Sequence, residues 1–463
     1  MSGASPSSKN GVHILIFPFP AQGHMLPLLD LASQLAKHGL TITILVTPKN
    51  LPILSPLLSA QPTIKPLIFP FPPHPSVPSG AENVKDIGNS GNAPIIAALA
   101  KLHDEIVEWF NSQSCPPIAL ISDFFLGWTQ DLANKIGVPR IVFYSSGAFL
   151  ASAFDYIWKN FDLLRCLDEI EFSDFPRKPR FLKEHLPSVF RRYRDSDPDW
   201  VIVRKSMVAN SSSWGAVINT FDAMESEFCE YFKRLMGHER VYSIGPVNLL
   251  SGADREGDPT SEVLSWLDQC VNRSVLYVCF GSQTVLSQAQ IDSLCSALDG
   301  SGVKFVFVTK PITEQQKTEG YGSVPIEFDT RVNSRGLIIR GWAPQVSILS
   351  HRAVGGFLSH CGWNSVLEAV VGGVMILAWP MEADQYINAR LLVDYMGAAV
   401  QVCGGRDTVP NSFELARTIF ESMQGDIIQK AKANGLRDQA LEAIRSGGSS
   451  ANDMETLVRE ISE

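Results

Sequence analysis

The chain of 463 residues lacks most of the features that mark a secreted, membrane-spanning or metal-dependent protein. No uninterrupted apolar stretch approaches the roughly 18 residues a helix needs to cross a bilayer, so no stable membrane association is expected. The eight cysteines, at positions 115, 166, 229, 270, 279, 295, 361 and 403, form no CxxC pair and no dense framework, as for free thiols in a reducing compartment. Residues 1–10 are polar and Ser-rich, and are expected to be disordered. The apolar run Val12–Phe19 is too short for a signal peptide and lacks a small-residue cleavage site. A cytoplasmic location is therefore expected, and the sequons Asn210-Ser211-Ser212 and Asn272-Arg273-Ser274 would matter only on a secretory route. Positive charge is also scarce. With 39 Lys and Arg against 48 Asp and Glu the net charge is −9, which argues against nucleic acid or an anionic surface as partner. Any phosphate site must be local. GxGxxG and GxxxxGK[ST] are absent, which disfavours dinucleotide oxidoreductases and P-loop enzymes, and HExxH and paired-Cys motifs are absent too, so no metal is expected.

What is present is ordinary globular composition, 45% hydrophobic and 19% charged, at a length that suits two domains of about 200 residues better than one. Short runs rich in β-branched and aromatic residues alternate with helix-length segments: His13–Pro18, Thr41–Thr47, Ile64–Phe69, Ala119–Ser122, Arg140–Tyr144, Ala216–Asn219 and Val241–Ile244. Apolar on both faces, they predict parallel strands covered by helices. The pattern pauses at Leu249–Glu262, a polar Gly- and Pro-containing stretch that predicts a linker. A second set follows at Val275–Phe280, Lys304–Thr309, Gly336–Arg340, Val354–Leu358, Val374–Trp379 and Ala398–Val402. The expected architecture is α/β: two Rossmann-like doubly wound parallel-sheet domains, 11–248 and 263–446, facing across a cleft, with a closing helix in 447–463. Ligands of such sheets bind at the carboxyl ends of the strands.

Chemistry-bearing residues gather at those ends. Val354 to His360 reads as a strand, Cys361-Gly362-Trp363 as a tight turn and Asn364–Val371 as a helix stopped by Gly372-Gly373. The first N–H groups of that helix make an anion site, and His360, Asn364 and Ser365 add donors beside it. Ser365 and Glu368 could instead form a capping box, or Glu368 could take the hydroxyls of a ribose. Trp342, after the strand Leu337–Arg340, could stack a base or simply cover the core. Asp384 and Gln385, after Trp379-Pro380-Met381, suit sugar hydroxyls or an exposed loop.

Taken together, Trp342 to Gln385 resembles the 44-residue signature box of the plant secondary-product UDP-glycosyltransferases, family 1 of the glycosyltransferases, whose two domains form the GT-B fold. The resemblance implies a UDP-sugar as co-substrate and no separate cofactor. It implies that Trp342 stacks uracil, Ala343 binds the base edge, Gln345 and Glu368 hold the ribose, and His360, Trp363, Asn364 and Ser365 hold the diphosphate. Ser282 matches an additional phosphate contact, and Asp384 and Gln385 the sugar contacts. A terminal Gln in that family usually accompanies UDP-glucose, whereas His often stands there for other sugars. One departure is Met375, where the family commonly has proline.

In the first half, Gly23-His24 follows the first strand and Ser122-Asp123 ends another. A histidine, titrating near pH 6.5, suits a general base, and Asp123 could hold its tautomer; these positions match the dyad of the family. The resulting expectation is an inverting, metal-independent glucosyltransferase acting on a small phenolic, flavonoid-like acceptor, and monomeric. Phe19, Phe124, Phe125 and Phe149 are candidate acceptor contacts or core residues, and Ser145 or Ser146 a further sugar contact. Alternatives are another donor such as UDP-xylose or UDP-rhamnose, a C-glycoside product, a UDP-sugar epimerase or hydrolase, and a non-catalytic binder.

Overall fold

The computed structural model describes residues 11–250, 262–425 and 427–463. The expected N-terminal disorder, residues 1–10, and most of the expected linker lie outside the described residues. The chain divides into two compact units: the described parts of Met1–Arg180, Val189–Ser251 and Ala443–Glu463, and those of Phe181–Ser188 and Gly252–Glu442.

In the first unit the strands are β1 (His13–Phe17), β2 (Thr41–Val46), β3 (Ile64–Ile68), β4 (Ala119–Asp123) and β5 (Arg140–Tyr144). Next in the chain come β6 (Glu169–Glu171) and β7 (Arg180–Leu182), whose last two residues belong to the second unit, then β8 (Gly215–Ile218) and β9 (Val241–Ser243) of the first. Seven of them form one sheet in the order β3-β2-β1-β4-β5-β8-β9, with all six neighbouring pairs parallel. Ile14, Ile16, Ile42, Ile44, Ile121 and Phe143 are almost wholly buried, as strands covered on both faces require. The pair β6 and β7 has no readable periodicity: each strand has three residues, with Glu169, Glu171, Arg180 and Leu182 exposed around one buried residue apiece.

The second unit contains β10 (Val275–Cys279), β11 (Lys304–Thr309), β12 (Gly336–Arg340), β13 (Val354–Ser359), β14 (Met375–Ala378) and β15 (Ala399–Gln401). Their order is β12-β11-β10-β13-β14-β15, again parallel. In both sheets the order reverses beside the first strand, which creates the switch point where ligands of such folds collect. Met375 opens β14 and is buried, so the missing proline is replaced by core packing.

The C-terminal helix Ser449–Ser462 belongs to the first unit. Its buried residues Met454, Leu457, Val458 and Ile461 recur at helical spacing and join the apolar core of this unit on the side of β9. Burying each stabilises by about 2 kcal/mol. Polar contacts fix the register: Ser450 Oγ donates to Gly245 O (2.7 Å), Ser243 N–H donates to Asp453 Oδ2 (2.6 Å), and Tyr242 Oη donates to Glu460 Oε2 (2.8 Å). Burial pushes the Asp453 carboxyl up to about 6, helped by Asp222 and opposed by the Ser243 N–H and Lys233. A carboxyl raised by folding adds stability that is fully present below its unfolded value near 4 and is lost as pH rises through 6. Asp453→Asn keeps an acceptor for Ser243 without the charge. It should raise stability at pH 7.5 by about 1–2 kcal/mol, the gain vanishing near pH 4, as read from thermal melts at both pH values.

Candidate active site

In the first unit β1 and β4 are neighbours, with Phe17 level with Ser122, so their carboxyl ends coincide. From β1 the chain turns into the helix Gln22–Lys37, which carries His24 in its first turn, and Asp123 is the last residue of β4. His24 Nδ1 lies 2.9 Å from Asp123 Oδ2. The other carboxylate oxygen, Oδ1, accepts the Phe125 N–H (2.8 Å), which caps the 3₁₀ turn Phe124–Leu126. Asp123 is fully buried, and each of its oxygens is engaged, as a buried carboxylate requires. A carboxylate accepts, so Nδ1 carries the proton and Nε2 keeps its lone pair. The imidazole is a fifth exposed.

Three of the four predicted aromatic residues surround this ring. Phe124 stacks on it (5.3 Å between centroids, 19°), Phe125 lies at 4.7 Å, and Phe19 meets it edge-on at 5.3 Å. Phe149 does not join them; it stacks on Phe228 at 4.4 Å. Ser145 and Ser146 follow β5, both buried, and Ser146 Oγ has no hydrogen-bond partner. The helix that starts just beyond, Ala148–Lys159, is not an open anion site, because Glu225 takes the Ala148 and Phe149 N–H groups at 2.9 Å each. Burial pushes that carboxyl up. Glu225 lies 76 residues beyond Phe149, and no local pattern could have revealed the contact.

In the second unit the helix is Trp363–Gly372, capped by Gly362 with no side-chain cap. Ser365 and Glu368 form no capping box. Both instead receive the amide of Gln345, whose Nε2 donates to Ser365 Oγ (3.0 Å) and Glu368 Oε2 (2.6 Å), while its Oε1 accepts from Tyr277 Oη (3.2 Å). Asp384 Oδ2 accepts the Trp363 N–H (3.3 Å) and Asn388 Nδ2 (2.6 Å). Asn388 Nδ2 also donates to Cys361 O. Gln385 Oε1 accepts the N–H groups of Met381 (2.9 Å) and Glu382 (3.0 Å), so its NH₂ group is the end not committed to that turn. Tyr277 and Asn388 escaped the sequence reading because one sits mid-strand and the other mid-helix. Cys361 (φ 66°) and Ala383 (φ 58°) hold left-handed backbone at the two turns of this segment, a strain of about 1 kcal/mol or more each.

Trp342 is 69% exposed, so it is not a core cover, and Ala343 stands beside it with its carbonyl accepting the Gln345 N–H. Ser282 is exposed just beyond β10, and Asn364 is half-buried in the first turn of the helix. His360 packs between two glycines: a Cβ on Gly281 would lie 2.5 Å from its Nε2, and one on Gly362 2.7 Å. Gly281 also has φ +73°, which favours glycine. Burial, then the nearby Lys310, pushes the imidazole down to about 4, and its buried Nδ1 has no partner. Lys310 itself is pushed down to about 8 by burial. At neutral pH His360 is thus an uncharged donor beside a cation. Among the described residues no group of three or more His, Cys, Asp or Glu is arranged to hold a metal ion, and no helix is long and apolar enough to cross a membrane.

Two parallel α/β units, one presenting an imidazole–carboxylate pair and the other a helix start tied through Gln345 to a segment that bears an exposed indole, have the arrangement of the GT-B class. Residues 250–410 match the family described as UDP-glucoronosyl and UDP-glucosyl transferase. UDP-glycosyltransferase 89A2 of Arabidopsis thaliana is 48% identical, over 99% of this chain and 98% of that protein. The flavonol 3-O-glucosyltransferase UGT89B1 of Arabidopsis thaliana is also 48% identical, over 97% of this chain and 96% of that protein. The crystal structure of Arabidopsis thaliana UGT89C1 complexed with UDP-L-rhamnose superposes with a TM-score of 0.81 at 37% identity, covering 98% of this chain and 100% of that one. The chain belongs to the UDP-glycosyltransferases, and it is a UDP-dependent glycosyltransferase with the GT-B fold.

Gly362 has φ −61° and ψ 143°, which alanine adopts without strain, so Gly362→Ala tests the close approach to His360 alone. UDP affinity should fall about tenfold by calorimetry, with little change in melting temperature. Unchanged affinity would show that the seat of His360 is irrelevant to nucleotide binding.

Proposed function

We propose that the enzyme transfers glucose from UDP-glucose to a hydroxyl of a flavonoid-like phenol, with inversion and with His24 as the base. The observation that carries this reading is the 2.9 Å contact of His24 Nδ1 with a fully buried Asp123, which leaves Nε2 as the proton acceptor. Nε2 takes the acceptor's hydroxyl proton as the oxygen attacks the anomeric carbon. The bond from that carbon to the phosphate oxygen breaks, UDP leaves with the electron pair, and Asp123 stabilises the imidazolium. Attack opposite the leaving group turns an α-linked donor into a β-glycoside. Phe124 and Phe125, packed against His24, supply the apolar wall that suits a flat ring, and the wholly buried Phe19 backs Phe125.

In the donor segment, Trp342 stacks the uracil, Ala343 meets its edge, and Gln345 and Glu368 hold the ribose. His360, Trp363, Asn364, Ser365 and Ser282 receive the diphosphate, with Lys310 adding positive charge nearby. These donors are held in place before the reaction, so they offset charge on the departing UDP without reorganising. Asp384 and the amide NH₂ of Gln385 hold the sugar. Glucose as donor is supported by that terminal Gln and by a glucosyltransferase among the relatives. The neighbour complexed with UDP-L-rhamnose makes rhamnose the donor to test against it. A flavonoid acceptor is supported by the same relative's name and by a structure of UGT89C1 with quercetin.

A donor-by-acceptor screen with product mass and linkage analysis tests this reading. His24→Ala should lower turnover of an ordinary phenol by about 10³-fold while UDP still binds. Wild-type rates in that variant would refute the base, preferred use of UDP-rhamnose would refute the donor, and UDP release without acceptor would indicate hydrolysis. The helix start and the donors beside it replace a metal in this scheme. EDTA should therefore leave activity intact, and strict dependence on Mg²⁺ or Mn²⁺ would overturn that element.

A further inference from the structure

Behind the dyad lies a charged residue with no place in the chemistry described so far. Arg140, the first residue of β5, is fully buried, and its hydrogen bonds go to neutral oxygens. Nε donates to Ser122 Oγ (2.9 Å) and Thr129 Oγ1 (2.8 Å), Nη1 to Ser213 Oγ (2.8 Å), and Nη2 to Asn210 Oδ1 (3.0 Å). Burying a guanidinium without a paired carboxylate costs several kcal/mol, which an apolar side chain would avoid. Burial pushes the group down to about 10, so it remains a cation throughout the working range.

The acceptors of that cation hold the turn that follows Asp123. Thr129 Oγ1 donates to Leu126 O (2.6 Å), and Asn210 Nδ2 donates to Phe124 O (2.8 Å). These are the first and last residues of the turn that Asp123 caps, and its Phe124 and Phe125 rings pack on His24. Asn210 is thereby committed to the interior, although it begins a sequon. We infer that Arg140 is a positioning residue for the His24–Asp123 pair, fixing the Asp123 turn through neutral ligands and leaving its own charge to act on the pair.

The electrostatic direction follows from geometry. Because no partner carboxylate neutralises it, the guanidinium charge acts on Asp123, which is one residue beyond Ser122. The same field opposes a second positive charge placed on the imidazole. The other ionisable groups nearby are Tyr144 on β5, stacked on Phe124 at 5.2 Å, and Asp155 on the helix Ala148–Lys159, which is paired with Lys159 at 2.9 Å. Tyr144 is held protonated by burial, so the field at the dyad is dominated by Arg140.

This assignment rests on His24 acting as the base, and the test separates the two. Asn210→Asp sets an isosteric carboxylate against the guanidinium and loses only the donation to Phe124 O, while Asn210→Ala loses that donation and the contact with Nη2 without adding charge. The acidic limb of the kcat/KM profile against pH should move up by about 0.5–1 pH unit in Asn210→Asp and stay in place in Asn210→Ala. Arg140→Lys, which keeps the charge but not the fork, should lose about tenfold or more in kcat with its limb unmoved. Equal limbs in Asn210→Asp and Asn210→Ala, both folded by thermal melt, would overturn the role of the charge. If His24→Ala instead retained full activity, the base itself would be wrong, whatever the limbs did.

Discussion

A parallel sheet covered on both faces has nowhere to put a polar side chain except at its strand ends, and this constraint organises each unit. In the first sheet the central strands are apolar almost to their last residue, and polarity breaks out at Ser122 and Asp123. Asp123 remains buried because two elements supply partners for its oxygens, the helix Gln22–Lys37 with His24 and the turn Phe124–Leu126 with an N–H, while the cation of Arg140 on β5 acts on it without touching it. Each contact is individually worth about 1–3 kcal/mol, but together they form a network in which no member is left unsatisfied.

The second sheet meets the constraint differently. Around the helix Trp363–Gly372, side chains that could have capped their own helix are recruited by other segments. Gln345 collects Ser365 and Glu368, and Asp384 collects the Trp363 N–H and Asn388. The segment is therefore a lattice joining the middle of β10 to the stretches that follow β12, β13 and β14, not a row of independent contacts. Positive-φ residues at Cys361 and Ala383 mark where the backbone is bent to make it close. A preorganised lattice of this kind suits stabilisation of a charged leaving group, since little must rearrange when charge develops.

How legible was this in the chain? The strands were, because runs such as Ile14-Leu15-Ile16 and Val275-Leu276-Tyr277 have the composition of doubly covered strands, and their boundaries shift by only a residue or two. The donor segment was legible through its joint order of residues, although Ser365 with Glu368 read equally well as a capping box. The role of Gln345 as their common partner was hidden, since it stands 20 residues away from Ser365. Glu225, Asn210 and Arg140 were hidden for the same reason. The hydrogen bonds that define them span 11 to 86 residues, and nothing local distinguishes them from surface polar groups.

By itself, then, the amino-acid sequence determined the alternation of strands and helices, the family-specific order from Trp342 to Gln385, and the pairing of a histidine and an aspartate at two strand ends. These are local or ordered patterns, and hydrophobic periodicity and motif spacing are local quantities. Only the tertiary structure decided that Glu225 occupies the start of the helix Ala148–Lys159, that Phe149 packs on Phe228 and not on His24, and that an unpaired Arg140 lies behind the dyad. Those outcomes depend on which side chains meet across the fold. The reason is energetic: a buried polar group must find a partner wherever the packing provides one, and sequence distance has no bearing on which partner that is.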